Sequence, residues 1–450
     1  RATSINMSMW LCYILPIESV LGRNVATPFW YNAALALAKP LYQSRIRKRA
    51  TSPEQLQQEL LERFGPFQSP KNLQSIWFHV VSVGETNAAQ PLIEHYLKFG
   101  HPVLVTNTTK TGQARAKSLF LKEPYLDLFQ AVYLPADQKT LIRDFYQKYQ
   151  PKLLLLMETE LWPNLIDQAP NFNVPCLLLN ARLSEKSAKG YGKVKGLTRG
   201  MLKNLTALLA QDTATQQRYI DLGIASEKTQ VLGNIKFDIM APRQFIDHAA
   251  GLRQEWSLQG RKIITLASTH APEEQQLMSE LKAALDANPA LVCIVVPRHP
   301  ERFDEVFQAA QSLGLRTQRR SLGQRIEADT QIYLADSMGE MWLWYALSQA
   351  CYVGGSLNEP GGGHNILEPI ALNVPTILGK NYFNFQTIVD EFAQAHAVEV
   401  VQDATQAAET LLEILNNSAK AESLNIAAQK MMQQNQGSLE RHIQVIDQYL

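Results

Sequence analysis

Short apolar runs alternate with longer stretches of helical character along almost the whole chain. Runs at 75–81, 102–106, 132–134, 152–157 and 174–179 are each followed by such a stretch. Strand–helix–strand alternation predicts parallel strands in one sheet, with helices covering its faces. The run Lys152-Leu153-Leu154-Leu155-Leu156-Met157 is continuous rather than alternating, as expected of a strand buried on both sides. Near Met240-Ala241-Pro242 the pattern restarts, with runs at 262–267, 291–296, 331–334, 350–353 and 375–379. A chain of 450 residues is long for one domain. The expected fold is α/β, with two Rossmann-like doubly wound domains facing a central cleft. The expected divisions are an N-terminal extension with a membrane-associated helix at 1–50, a first Rossmann-like domain at 51–242 and a second at 243–450.

Charge is nearly balanced, 43 Lys and Arg against 42 Asp and Glu, so nothing global points to nucleic acid. Cys12, Cys176, Cys293 and Cys351 are far apart and show no paired spacing. Three lie in apolar runs, which favours buried thiols over disulfides or a metal site. No apolar run reaches the ~18–20 residues of a membrane-spanning helix. Two shorter apolar pieces lie at 9–17 and 28–42, and the first has the length of a signal-peptide core. The second carries aromatic residues at one end and Arg45, Arg47, Lys48 and Arg49 just beyond the other. That pattern suits a helix lying on an anionic membrane surface.

Polar residues collect just past the C-terminal ends of the strands, where open parallel sheets bind ligands. In the first half these are 82–85, 106–109, Glu158, Glu160, Asn180 and Arg182. Glu158 and Glu160 share a face only if their segment is extended. Glu158 is the expected site residue, and Glu160 the expected structural partner of Arg182 or of the loop. Glu62 reads as the end of a surface helix, with an acceptor-side residue as the alternative. In the second half, Val353-Gly354-Gly355-Ser356 runs through Gly361-Gly362-Gly363-His364-Asn365 to Glu368-Pro369. Glycines let backbone N–H groups approach an anion, and a helix N-terminus favours negative charge. Glu368, one turn inside that helix, is placed to accept from ribose hydroxyls. Arg298, after an apolar strand, offers a guanidinium fork to a phosphate. His299 and His364 read as structural. No Asp-x-Asp pair is present to hold a divalent cation, so metal is not demanded. Lys186, Lys189, Lys193, Lys195 and Arg199 form a basic run that suits acidic lipid phosphates or an ordinary solvated face.

Several longer phrases resemble one family. They include Ser82-Val83-Gly84-Glu85, Met157-Glu158-Thr159-Glu160-Leu161-Trp162-Pro163-Asn164 and Gly233-Asn234-Ile235-Lys236-Phe237-Asp238. Asn180-Ala181-Arg182-Leu183-Ser184, Pro297-Arg298-His299-Pro300-Glu301-Arg302-Phe303 and Gly362-Gly363-His364-Asn365-Ile366-Leu367-Glu368-Pro369 complete the set. Together, across 27–440, they look like 3-deoxy-D-manno-octulosonic acid (Kdo) transferase of Gram-negative lipopolysaccharide synthesis. The resemblance implies a glycosyltransferase-B fold at the cytoplasmic side of the inner membrane. It implies inverting, metal-independent transfer of Kdo from CMP-Kdo to the lipid A precursor lipid IVA, with no cofactor. It implies Glu85 as proton acceptor, with Glu158 and Lys236 supporting the transition state. Pro297, Arg298, Met338, Gly339, Glu340, Asn365, Ile366, Leu367 and Glu368 correspond to the CMP pocket. A UDP-sugar transferase or 2-epimerase on the same fold is the runner-up, and a catalytically idle lipid-binding scaffold is the alternative from another class.

Overall fold

The computed structural model describes residues 27–450. The apolar piece at 9–17 and Cys12 therefore lie outside the described residues. The chain forms two compact units. One runs through Lys236 and is joined by Gln436–Leu450; the other is Phe237–Asn435.

The first unit is built on seven parallel strands: β1 (Ile76–His79), β2 (Val103–Asn107), β3 (Phe129–Tyr133), β4 (Leu153–Met157), β5 (Cys176–Ala181), β6 (Ala207–Ala210) and β7 (Thr229–Val231). Their order across the sheet is β3-β2-β1-β4-β5-β6-β7. The strand order reverses between β1 and β4, which pair in parallel from Ile76↔Leu153 to His79↔Leu156. That is where such sheets open a ligand crevice. Every residue of β4 is buried, as its unbroken apolar sequence requires.

The second unit carries β8 (Lys262–Thr269), β9 (Leu291–Pro297), β10 (Thr317–Arg319), β11 (Ile332–Leu334), β12 (Ala350–Val353), β13 (Thr376–Gly379) and β14 (Glu399–Val401). Their order is β10-β11-β9-β8-β12-β13-β14, again all parallel. Its reversal lies between β8 and β12. Cys176, Cys293 and Cys351 are free and buried in strands, as their apolar settings suggested.

The division differs from the expected one in two places. It falls at Lys236/Phe237, before Pro242, and the last fifteen residues leave the second unit. The helix Ser438–Ile446 buries Ile443, Val445 and Ile446 in the apolar cluster that contains Ile76, Phe78 and Leu155. Arg441 donates to the Leu232 carbonyl at 2.8 and 3.1 Å, and the Asn180 N–H donates to His442 Nε2 at 3.2 Å. Burial and polar pairing thus both draw this segment to the first sheet.

Before β1 come α1 (Phe29–Lys48) and α2 (Pro53–Phe64). On α1, Tyr31, Leu35 and Ile46 are buried, while Phe29, Leu37 and Leu41 are more than 70 % exposed. Arg45, Arg47 and Lys48 occupy its last turn. No helix among the described residues is long and apolar enough to cross a membrane. Glu62 is not a surface residue: it is buried, accepting from the Tyr133 N–H at 2.7 Å and from Gln113 Nε2 at 3.2 Å. Beside it Arg63 and Glu59 form a buried pair at 2.9 Å.

Candidate active site

Three carboxylates stand at the C-terminal ends of β1 and β4. Glu85 lies in the first turn of α3 (Val83–Lys98), which starts five residues before the apolar pattern at 88–99 suggests. Ser82 caps that helix by accepting from the Glu85 N–H at 3.4 Å. In return Glu85 accepts from the Val81 N–H at 2.7 Å and from the Ser82 hydroxyl at 3.0 Å. This reciprocal capping satisfies backbone donors that an α-helix otherwise leaves open. It also fixes where the carboxylate sits.

After β4 the chain turns sharply, with Glu158 in the left-handed region at φ 57°. A non-glycine residue adopts that conformation only when its surroundings hold it there. Here the Glu158 N–H donates to the Leu179 carbonyl at 2.9 Å and the Arg182 N–H to the Glu158 carbonyl at 3.3 Å, while at the side chain Lys236 Nζ lies 2.6 Å from Oε1 and Arg182 Nε 2.8 Å from Oε2. Burial alone would raise the Glu158 carboxyl, but Lys236 and then Arg182 outweigh it and hold the group below its ordinary range. Arg182 thus pairs with Glu158, correcting its expected pairing with Glu160. The turn sends the Glu160 side chain elsewhere, to accept from Trp162 Nε1 at 2.7 Å with His79 Nε2 at 4.0 Å.

The other two carboxyls move upward. Burial, and then the charge of Glu158, push Glu160 up to about 7. Burial first, followed by the charges of Glu160 and Glu158, raise Glu85 well above the usual carboxylate range. One fixed anion beside one carboxyl raised toward neutrality is the division of labour that acid–base chemistry needs. Glu85 is partly exposed, so a hydroxyl can reach it.

In the second unit the glycine loop departs from expectation. The backbone N–H groups of Gly355, Ser356 and Leu357 point at a carboxylate of the protein itself. They donate to Glu273 at 2.8, 2.9 and 2.8 Å. The His270 N–H (2.9 Å) and the Tyr352 hydroxyl (2.7 Å) also donate to Glu273, which is wholly buried. This nest is therefore filled from within, and those donors do not cradle a ligand. Gly354 follows the end of β12, where an added Cβ would stand 2.7 Å from the Thr269 Cα, so only glycine fits.

The nine remaining expected residues stand at or after the ends of β9, β11 and β12 of the same sheet. Pro297 ends β9 and is buried; Arg298 follows, exposed, its N–H donating to the Thr269 carbonyl at 3.0 Å. Glu301 stands 3.8 Å from His299. Met338 is 59 % exposed, and Gly339 has φ 85°. Glu340 is held by Arg320 at 2.8 and 3.1 Å; burial opposes its ionisation, but Arg320 and Ser337 lower it overall. Asn365 Nδ2 donates to Glu368 Oε1 at 3.2 Å, and its Oδ1 accepts from the Leu367 N–H at 3.1 Å. The helix there is short, Leu367–Ala371. The Ile366 and Leu367 side chains belong to the apolar core with Val353 and Leu378, so only their backbone is available to a ligand.

Sequence reasoning missed Glu273 and the grouping of His270 with His364. Nothing in a Glu on a helix, or in two histidines 94 residues apart, signals such contacts. The capping role of Ser82 was legible in its spacing to Glu85.

Comparison with known proteins places these features in context. A family described as "3-Deoxy-D-manno-octulosonic-acid transferase (kdotransferase)" matches residues 58–239. The 3-deoxy-D-manno-octulosonic acid transferase of Haemophilus influenzae is 37 % identical over 428 residues, covering 94 % of this chain and 98 % of that protein. The crystal structure of the C-terminal CMP-Kdo binding domain of WaaA from Acinetobacter baumannii is 60 % identical. It covers 43 % of this chain and 100 % of that one, with a TM-score of 0.42. A glycosyltransferase from Rickettsia africae, 14 % identical, covers 84 % of this chain and 99 % of that one; its TM-score of 0.51 is a likeness of fold.

Proposed function

This chain belongs to the 3-deoxy-D-manno-octulosonic acid (Kdo) transferase family and is a glycosyltransferase of lipopolysaccharide synthesis; we propose that its donor is CMP-Kdo and its acceptor the lipid A precursor lipid IVA. The observation that carries this reading is the carboxylate set of the first unit. Glu158 is locked as an anion by Lys236 and Arg182, and Glu85 beside it is raised toward the range of a working base. The donor assignment is supported by 60 % sequence identity to the C-terminal CMP-Kdo binding domain of WaaA.

In this mechanism Glu85 takes the proton of the acceptor hydroxyl as its oxygen attacks the anomeric carbon of Kdo. The bond from that carbon to phosphate breaks, its electron pair leaves with CMP, and the configuration inverts. Lys236, held by Glu158, faces the negative charge of the reacting sugar. Arg298 lies against the phosphate, and Asn365 to Glu368 against the ribose. No metal or cofactor takes part in this scheme. The exposed apolar residues and basic end of α1 support a seat on the cytoplasmic face of the inner membrane.

The test is incubation with lipid IVA and CMP-Kdo generated in place, read by mass spectrometry. The expected result is a lipid heavier by one or more Kdo units. An unchanged lipid, from protein shown to be folded, overturns the assignment. Thermal stabilisation by UDP but not CMP would move the donor to a UDP-sugar.

A further inference from the structure

Two histidines outside the expected site residues meet beside the glycine loop. His270 follows β8 and His364 closes the run of glycines. Their Nε2 atoms are 2.9 Å apart and their rings stack at 5.1 Å with 13° between planes. His299 packs edge-on against His270, with ring centroids 4.9 Å apart. Neither member is free to drift. Glu273 Oε2 accepts from the backbone of both His270 and Gly355. The Gly363 N–H, next to His364, donates to the Gly355 carbonyl at 2.7 Å. These histidines are not grouped to hold a metal ion among the described residues.

Two imidazoles joined through their Nε2 atoms share one proton: one donates and the other accepts. A further proton would place positive charge in a site that already holds Arg298 and Arg302. The charged and titratable groups around the pair are Arg298 and Arg302, the imidazole of His299, and the carboxylate of Glu273. Burial first, then His270, Arg298 and His299, lower His364 to about 3. Burial first, with His299, Arg298 and Arg302, lowers His270 despite Glu273. The pair is therefore neutral near pH 7, and what keeps it neutral is desolvation and neighbouring positive charge. A phosphate arriving beside Arg298 would cancel that charge.

We propose that the His270–His364 pair takes up a proton when a nucleotide phosphate binds the second unit, so that it is the receptor for the charge of the cytidylate. This rests on the CMP reading of that unit and adds residues and a protonation step to it. The sign is fixed by linkage. A group whose pKa rises on binding takes up a proton, and affinity falls as pH increases through the bound-state value. In the reaction, phosphate gains a negative charge when its bond to the sugar breaks. A protonated pair would then favour the departing nucleotide over the intact donor, whose phosphate carries one charge fewer.

Calorimetric titration of the whole protein with CMP, near neutral pH in buffers of different ionisation enthalpy, tests the proposal. The expected result is uptake of a substantial fraction of one proton on binding. His364→Gln should lose that uptake and bind CMP about tenfold more weakly, with a melting curve that remains cooperative. His270→Asn is the second variant, should the first fail to fold. Proton uptake unchanged in either folded variant, or absent from the parent protein, overturns the proposal and leaves the CMP site standing. Failure of the folded parent to bind CMP overturns the donor reading itself, and the proposal with it.

Discussion

Lys236 Nζ and Glu158 Oε1 lie 2.6 Å apart, joining the last loop of the first unit to the end of its central strand. Glu158 is 4 % exposed, so its charge depends on that partner and on Arg182. Lys236→Met should leave a buried carboxylate with one partner. We expect a loss of about 1–3 kcal/mol in urea unfolding of the first unit. Activity should fall by about 10²-fold or more, since the proposed mechanism needs this charge at the reacting sugar.

Glu85→Gln separates base from cap. Glutamine can still accept from the Val81 N–H, so stability should change by less than about 1 kcal/mol. Transfer should fall by about 10²–10⁴-fold, while CMP affinity, measured separately, stays at the parent value. Full transfer by this variant would remove Glu85 from the mechanism.

Glu160→Gln should change the pH profile. Burial and then Glu160 raise Glu85, so removing the second charge lets Glu85 ionise at lower pH. The acidic limb of kcat/KM should move to lower pH. Stability should respond as well. Glu160, raised to about 7 in the fold, binds its proton more tightly there than in the unfolded chain. The folded state therefore loses stability as pH rises from about 4.5 to about 7, by at most about 3 kcal/mol. The variant should flatten that slope in melting curves taken across the range.

Glu273→Gln should loosen the glycine loop. The amide keeps one acceptor oxygen but turns an NH₂ group toward backbone donors that now meet a carboxylate. A destabilisation of about 3 kcal/mol or more is expected, with weaker CMP binding. Thermal melts and CMP titration check both. A neutral result would mean that the loop holds its shape without its internal anion.

Leu37→Glu with Leu41→Glu should release the protein from anionic vesicles. Both side chains are more than 70 % exposed, and each should contribute about 1.5–3 kcal/mol if buried in lipid. Flotation should show the loss, with CMP affinity unaltered. Retention on the vesicles would exclude this face of α1 as the anchor.

Much of the fold was legible because parallel strands buried on both sides must be apolar, and 152–157, 262–267 and 291–296 are. The strands Thr317–Arg319 and Glu399–Val401 were not, because each is three residues long, at a sheet edge and partly polar. The helix Arg243–Glu255 was passed over because few of its residues are buried. In the first unit, the presence of Glu85 and Glu158 at strand ends could be read from the chain, whereas Lys236 came from the family resemblance. Which carboxylate Arg182 would choose could not, since that follows from the left-handed turn at Glu158. The glycine loop misled for a similar reason: its sequence shows that backbone donors are aimed inward, but not that a distant Glu273 supplies the anion.

The return of Gln436–Leu450 to the first sheet has a practical side. Cutting this chain at one point does not yield its two halves: a fragment ending at Lys236 lacks the cover for Ile76 and Phe78, and the Arg441 guanidinium that donates to the Leu232 carbonyl. Whoever wishes to make the first half alone must splice the tail back on, whereas 237–435 can be excised as one uninterrupted piece. A small deletion at the C-terminus should accordingly injure the half encoded first.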